Sequence, residues 1–148
     1  MLETEDYTLE ISVIIPVYNA AAYVRQAVES ALAQPEVREV LLVEDGSPDN
    51  ALEVCQQLAA EDQRVILLRH PNGENRGPGA SRNLGMRNAR SPILAFLDAD
   101  DYYLPGRFKL DKEIYAENPL CDGVYHAIGM HIEDSEGLER WNSAGKPP

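Results

Sequence analysis

Ser91-Pro92-Ile93-Leu94-Ala95-Phe96-Leu97 runs directly into Asp98-Ala99-Asp100-Asp101, and the reading of this passage decides the fold. An apolar run of this kind predicts a fully buried strand, covered on both faces as parallel strands are. The three carboxylates then fall where the strand leaves the sheet. Open α/β sheets hold their ligands there, in the crevice outside the carboxyl ends of their strands. Clustered carboxylates repel unless a cation lies between them, and hard divalent cations take oxygen ligands. A metal that also grips a phosphate suits the position. Acids are equally favoured just before a helix, and Pro105 reads as a first helical position, so the passage alone leaves both readings open.

Outward from this passage, the chain alternates. Ile11 to Val17 is a β-branched run that predicts a first strand ending near Pro16. Asn19 can cap a helix carrying Tyr23, Ala27, Val28, Ala31 and Leu32 at helical spacing. Val37 to Glu44 predicts a second buried strand, followed by Ser47 as a helix cap with Pro48 at the first helical position and a helix through Leu52, Cys55, Leu58 and Ala59. Arg64 to Arg69 predicts a third strand, and Pro71 to Gly79 a long loop rich in Gly and Pro. A short helix over 80–89 leads into the fourth strand. A helix over 105–117 and a strand over 123–130 follow, after which a polar tail over 133–148 carries no pattern. Strands alternating with helices mean βαβ units and a mainly parallel sheet. One domain over 1–148 is expected, with an ordered core from about 10 to 130, and the alternation breaks off before the architecture is complete.

With 148 residues, 44% hydrophobic and 26% charged, the composition is that of a soluble globular domain. A formal charge of −12 disfavours nucleic acid and anionic lipid as partners. The two cysteines, Cys55 and Cys121, form neither a disulfide framework nor a metal-ligand spacing, and both read as buried free thiols of a reducing compartment. No signal peptide and no transmembrane segment is expected, so a cytoplasmic setting follows.

Three strand ends carry distinct chemistry. Pro16-Val17-Tyr18-Asn19 offers an aromatic ring to a base. Glu44-Asp45-Gly46-Ser47 offers a carboxylate to a base N–H or a ribose hydroxyl. Asp98-Ala99-Asp100 offers metal ligands. Gly77-Pro78-Gly79-Ala80-Ser81-Arg82-Asn83 opens a helix whose first amides, with Arg76 and Arg82, suit a diphosphate. Each feature has a plain alternative: Tyr18 as a strand-end plug, Asp45 as a turn residue before Gly46, Arg82 as a solvated side chain. Their convergence on one crevice favours the ligand reading.

Ser12-Val13-Ile14-Ile15-Pro16-Val17-Tyr18-Asn19, Val43-Glu44-Asp45-Gly46-Ser47-Pro48-Asp49, Gly79-Ala80-Ser81-Arg82-Asn83-Leu84-Gly85 and Phe96-Leu97-Asp98-Ala99-Asp100-Asp101 together resemble family 2 glycosyltransferases, in order and spacing, from about Ile11 to Tyr125. The resemblance implies a GT-A fold, Rossmann-like and cut short on the C-terminal side, with a nucleotide-diphospho-sugar donor and transfer with inversion. It implies that Pro16 and Tyr18 line the base pocket and that Asp45 reads the base, with Glu44 standing where the family usually has another Asp. Asp100 is implied as the direct ligand of Mn²⁺ or Mg²⁺, Asp98 as a second acid nearer the ribose and sugar, and Arg82 and Arg76 as donor contacts. The family's general base lies further along the chain than this sequence extends, and Glu133, Asp134 and Glu136 have no motif around them.

The donor-binding part of a sugar transferase is therefore the leading expectation, with a UDP-sugar favoured over dTDP or GDP because a carboxylate at Asp45 suits the N3–H of uracil. The acceptor class is a saccharide or a lipid-linked acceptor, the latter giving peripheral contact with a membrane. A sugar-nucleotide-binding or partner domain without turnover is the alternative. A nucleotidyltransferase is a third reading, disfavoured because the first strand ends without a Gly-rich, basic loop. An incomplete sheet leaves an edge and apolar surface that can drive formation of a homodimer.

Overall fold

Seven consecutive residues, Ile11–Val17, form β1, and six of them are buried. The computed structural model describes residues 7–126 and, beyond them, residues 135, 136, 139 and 143. Within this span the order is β1, α1 (Val24–Leu32), β2 (Val37–Glu44), α2 (Ala51–Glu61), β3 (Val65–Arg69), α3 (Gly77–Asn88), β4 (Ile93–Phe96) and α4 (Lys109–Glu117). The strands make one parallel sheet in the order β3-β2-β1-β4. Ile14 sits beside Leu41 on one side and Phe96 on the other. The chain walks outward from β1 to β3, then returns past β1 to place β4, and such a reversal opens a crevice at the carboxyl ends of the strands.

Alternation along β1 sorts the layers. Val13, Ile15 and Val17 join Val24, Ala27, Val28, Cys55 and Leu58 in the main core, so α1 and α2 cover one face. Ile14, Leu41 and Val43 point to the other face, where Leu84 of α3 packs on them. The contact there is close: a Cβ on Gly85 would lie 2.5 Å from Ile14 Cγ2. Ser12 and Glu39, both buried, are mutually satisfied. The Ser12 hydroxyl donates to Glu39 Oε1 at 2.6 Å, Arg90 N–H donates to the same oxygen, and Ser91 N–H donates to Ser12 Oγ. This network fixes the entry of β4 at the amino end of the sheet.

Several element ends differ from the sequence expectations. Asn19 caps nothing: it adopts φ +52°, and α1 begins after Tyr23 without a side-chain cap. Ser47 is likewise not a helix cap, because α2 starts after Asn50. Helix α3 begins at Gly77, inside the expected loop, and a short 3-10 turn occupies Pro71–Gly73. Helix α4 begins only at Lys109, so the acids after β4 do not belong to a helix start at Pro105. Strand β4 is half-buried, with Phe96 46% exposed, because it is the edge of the described sheet and lacks a second neighbour. Residues 123–126 are irregular rather than a strand; 127–130 and most of the expected tail lie outside the described residues. Among the described residues, no helix is long and apolar enough to cross a membrane.

Cys55 is buried as expected, and burial, reinforced by the charges of Glu44 and Asp49, pushes its thiol up to about 12. Cys121 is not buried; it is partly exposed. In the native protein, Ellman's reagent should titrate Cys121 quickly and reach Cys55 only on unfolding. Gly85→Ala should lower stability in urea unfolding by about 1–3 kcal/mol, because Ile14 is fully buried and its branched side chain cannot yield. Gly79→Ala, with open space around its Cβ, should be neutral or stabilising by up to about 1 kcal/mol.

Candidate functional site

Strands β2, β1 and β4 end side by side, and above them lies a cleft of about 580 Å³. Pro16, Tyr18, Asp45, Arg82, Asp98 and Asp100 all line it. Tyr18 leaves β1 as a residue 54% exposed, so it is not a strand-end plug. The turn that presents it is held by Ser47, whose hydroxyl accepts Asn19 N–H at 3.2 Å, and by Asp49, which accepts Ala21 N–H at 2.9 Å. Tyr23, half exposed, adds a second aromatic wall.

Asp45 is the most heavily engaged residue of the cleft. Its side chain is 2% exposed. Oδ1 accepts Arg76 N–H at 2.7 Å and Oδ2 accepts Gly77 N–H at 2.9 Å. A carboxylate at two leading amides is a helix cap, here delivered to α3 from another strand. Asn75 Nδ2 completes the stitch by donating to the Asp45 carbonyl at 2.9 Å. The two loops touch backbone to backbone: Gly46 has φ +68°, and a Cβ there would lie 2.8 Å from Gly73 O and 2.9 Å from Asn75 N. Only glycine fits at position 46. The Gly77 amide, one of the helix-start amides expected to face a diphosphate, is thus already engaged by Asp45, as is the Arg76 amide before it.

Glu44 and Arg76 are not brought into the cleft with the rest. Glu44 is 1% exposed and points away; its Oε1 accepts Ser47 N–H at 2.6 Å, and its Oε2 accepts Arg69 Nε–H at 2.9 Å. Burial pushes the Glu44 carboxyl up, but the Ser47 and Arg69 contacts outweigh it and leave it below the usual glutamate range. The Arg76 guanidinium pairs with Glu74 at 3.0 Å.

Beyond β4 the chain keeps alternating: Leu97 and Ala99 are buried, whereas Asp98, Asp100 and Asp101 are exposed. Leu97 N–H donates to Ile14 O, and Asp101 N–H closes a turn on Asp98 O. Burial first, then the charges of Asp100 and Asp98, raise the Asp101 carboxyl above its ordinary value. Arg82 reaches across from α3 to Asp98 Oδ1 at 2.7 Å, offsetting part of this repulsion. Among the described residues, no three His, Cys, Asp or Glu side chains are grouped as a ready-made metal cage. Exposed oxygen donors beside a cleft still fit a cation of the Mg²⁺ kind, which takes one or two carboxylates and completes its shell with substrate phosphates and water.

The family model described as glycosyl transferase family 2 matches residues 12–143. The chain belongs to this family. Over 98 residues it is 41% identical to the succinoglycan biosynthesis protein ExoU of Rhizobium meliloti (strain 1021), covering 66% of this chain and 28% of ExoU. Over 111 residues it is 32% identical to the uncharacterized glycosyltransferase EpsJ of Bacillus subtilis (strain 168), covering 74% and 31%. Among solved structures, S. aureus TarS 1–349 in complex with UDP-GlcNAc is similar with a TM-score of 0.65 and 26% identity, over 75% of this chain and 32% of that one. The mannosyltransferase PcManGT from Pyrobaculum calidifontis, in complex with GDP-Man and Mn²⁺, follows at a TM-score of 0.62 and 25% identity, over 74% and 32%. The fold is therefore the GT-A arrangement of the glycosyl transferase family 2 proteins. The chain spans 28% and 40% of the length of the first two curated relatives it matches.

Tyr23, whose helical spacing pointed only to the first helix, and Asn75 also line the cleft; Asn75 is hidden in a loop whose role depends on a strand 30 residues away. The charge on Glu44 should stabilise the fold above the ordinary glutamate pKa, about 4.5, and its contribution should fade as pH falls through the lower folded value. Comparison of Tm for wild type and Glu44→Gln should show a gap that is widest at neutral pH and closes in acid. A gap constant from pH 7 to pH 3 would contradict this.

Proposed function

We propose that the cleft is the donor site of a sugar transferase, holding a nucleotide-diphospho-sugar, with a UDP-sugar favoured. The observation that carries this reading is the meeting of Tyr18, Asp45, Arg82, Asp98 and Asp100 at three adjacent strand ends. The base stacks on Tyr18 against Pro16, and Asp45 forms the polar floor, where oxygens that each hold one backbone N–H retain acceptor capacity for a base N–H. Arg82 faces the diphosphate, with Asp98 nearer the ribose and sugar. Asp100, assisted by Asp98, would hold Mn²⁺ or Mg²⁺. A divalent cation there supplies Lewis-acid neutralisation of the departing diphosphate, worth several kcal/mol. The acceptor, a saccharide or lipid-linked hydroxyl, would attack the anomeric carbon as the bond to the diphosphate on the opposite face breaks, giving inversion, and its proton would pass to a general base that is not among the described lining of the cleft.

Support for donor binding comes from relatives that are glycosyltransferases and from neighbours solved with UDP-GlcNAc or GDP-Man and Mn²⁺. A second reading, nucleotide-sugar binding without turnover, is favoured by one observation. Among the described residues the cleft is lined by three acids, Asp45, Asp98 and Asp100, and the first two already have partners, so no further carboxylate is in place to deprotonate an acceptor. A donor-hydrolysis or transfer assay separates the two readings.

A thermal-shift panel of UDP, dTDP, GDP and ADP with Mn²⁺, Mg²⁺ or EDTA tests the site directly. One nucleotide at a hundredfold excess over its Kd should stabilise the protein by about 2.7 kcal/mol, and only with metal present. Asp100→Asn should abolish the metal-dependent part of that shift without lowering the Tm of the unliganded protein. Full nucleotide stabilisation in the variant would remove Asp100 from the metal site.

A further inference from the structure

Beneath the cleft lies a buried trio that the donor-site reading leaves unused. His70, at the end of β3, is 7% exposed, and Ser81, within α3, is fully buried. His70 Nε2 lies 3.1 Å from Ser81 Oγ and 3.6 Å from Asp45 Oδ1. The combination of Asp, His and Ser invites comparison with a nucleophilic triad, but the geometry excludes one. Both partners address the same ring nitrogen, so no proton can pass from serine through the ring to the carboxylate, and Ser81 is closed off from any substrate.

Its place in the fold points to another task. Asp45 comes from the end of β2, His70 from the end of β3 and Ser81 from α3. The imidazole is hydrogen-bonded to Ser81 and packs beside the Asp45 carboxylate at 3.6 Å, a polar contact longer than a hydrogen bond. The Asp45 oxygen facing His70 is the one that accepts Arg76 N–H, in the loop that carries Asn75, Gly77 and Pro78 into the cleft wall. One helical turn beyond Gly77, Ser81 ties the same wall to the sheet, and Arg82 follows immediately. Polar groups buried this deeply are costly unless satisfied, so a shift of any one member displaces the others.

We propose that His70 and Ser81 are positioning residues for the nucleotide site: their hydrogen bond fixes the imidazole against the Asp45 carboxylate and ties α3 to the end of β3, so that Asn75, Gly77 and Arg82 are held in place before a nucleotide arrives. The inference rests on the donor-site reading, since preorganisation matters only if a nucleotide enters this cleft. Neither residue contacts the ligand, and the effect reaches it through Asp45 and the α3 loop.

The test uses the full 148-residue chain and two independent readouts. Calorimetric affinity is measured for the nucleotide chosen by the thermal-shift panel, with Mn²⁺, in wild type, Ser81→Ala, His70→Ala, the double variant and His70→Gln, whose amide nitrogen can take the place of Nε2. Hydrogen exchange at the Arg76 and Gly77 amides is followed in the absence of nucleotide. The expected result is a roughly tenfold loss of affinity in each alanine variant, no further loss in the double variant, and recovery to within about threefold in His70→Gln. Exchange at Arg76 and Gly77 should quicken in both alanine variants while the β1 and β2 amides stay protected. Unchanged affinity in alanine variants that remain folded, or losses that simply add, would overturn the positioning role while leaving the donor site standing. A wild type that binds none of the nucleotides would overturn the donor-site reading and this inference together.

Discussion

Everything at the open end of this sheet depends on one buried carboxylate accepting two backbone hydrogen bonds. Asp45 takes the N–H groups of Arg76 and Gly77, and by doing so it brings the loop after β3 and the first turn of α3 over the end of β2. An unsatisfied helix start buried at a strand end would be costly; a carboxylate there is favoured both as acceptor and as the charge that the helix terminus prefers. The contact is dense enough to dictate residue identity nearby. Gly46 cannot carry a side chain because the backbone of Gly73 and Asn75 occupies that space.

The acids after β4 follow the opposite logic. Asp98, Asp100 and Asp101 are exposed and crowded, with the Asp101 carboxyl raised by burial and by its neighbours, and one arginine, Arg82, offsets part of the charge. Asp45 is a buried charge held by two backbone N–H groups, whereas these are exposed charges of which Asp98 alone is paired with an arginine among the described residues. A cleft floored by the first kind and rimmed by the second is rigid at its base and electrostatically receptive at its mouth. Exposed carboxylates of this kind attract cations and repel anions, so a polyanionic group could approach them only with a cation between.

The sheet and its three flanking helices were legible because periodicity and β-branched runs act locally. Ile11–Val17 and Val37–Glu44 match the expected strands residue for residue. Tyr18, Asp45, Asp98 and Asp100 stood out as chemistry at strand ends and Arg82 as a cation on a helix, and the fold brings all five to the lining of one cleft. What escaped is non-local. Glu44 stands one residue from Asp45 and looks equivalent in the sequence, but the pleat turns it away from the cleft to face Arg69 and the Ser47 amide. Asn19 and Ser47 have the composition of helix caps, yet they bind each other across two loops. Helix α3 starts earlier than its glycines and proline suggest because its cap is supplied from 32 residues away. The expected burial of β4 misled for a related reason, since an apolar run does not reveal whether a second strand lies beside it.

The stitch between Asp45 and α3 also has a kinetic meaning. Every strand pairing among the described residues is parallel, and the cleft draws on residues from Pro16 to Asp100, so it cannot form whole from a short segment of chain. Contacts so remote in sequence incur their loop-closure cost before they gain any stabilisation, a feature that slows folding. The pocket therefore cannot exist until the ends of β2, β1 and β4 are paired. Occupancy of that pocket consequently reports on the integrity of the whole sheet, a property that a site built on a single hairpin or helix would not have.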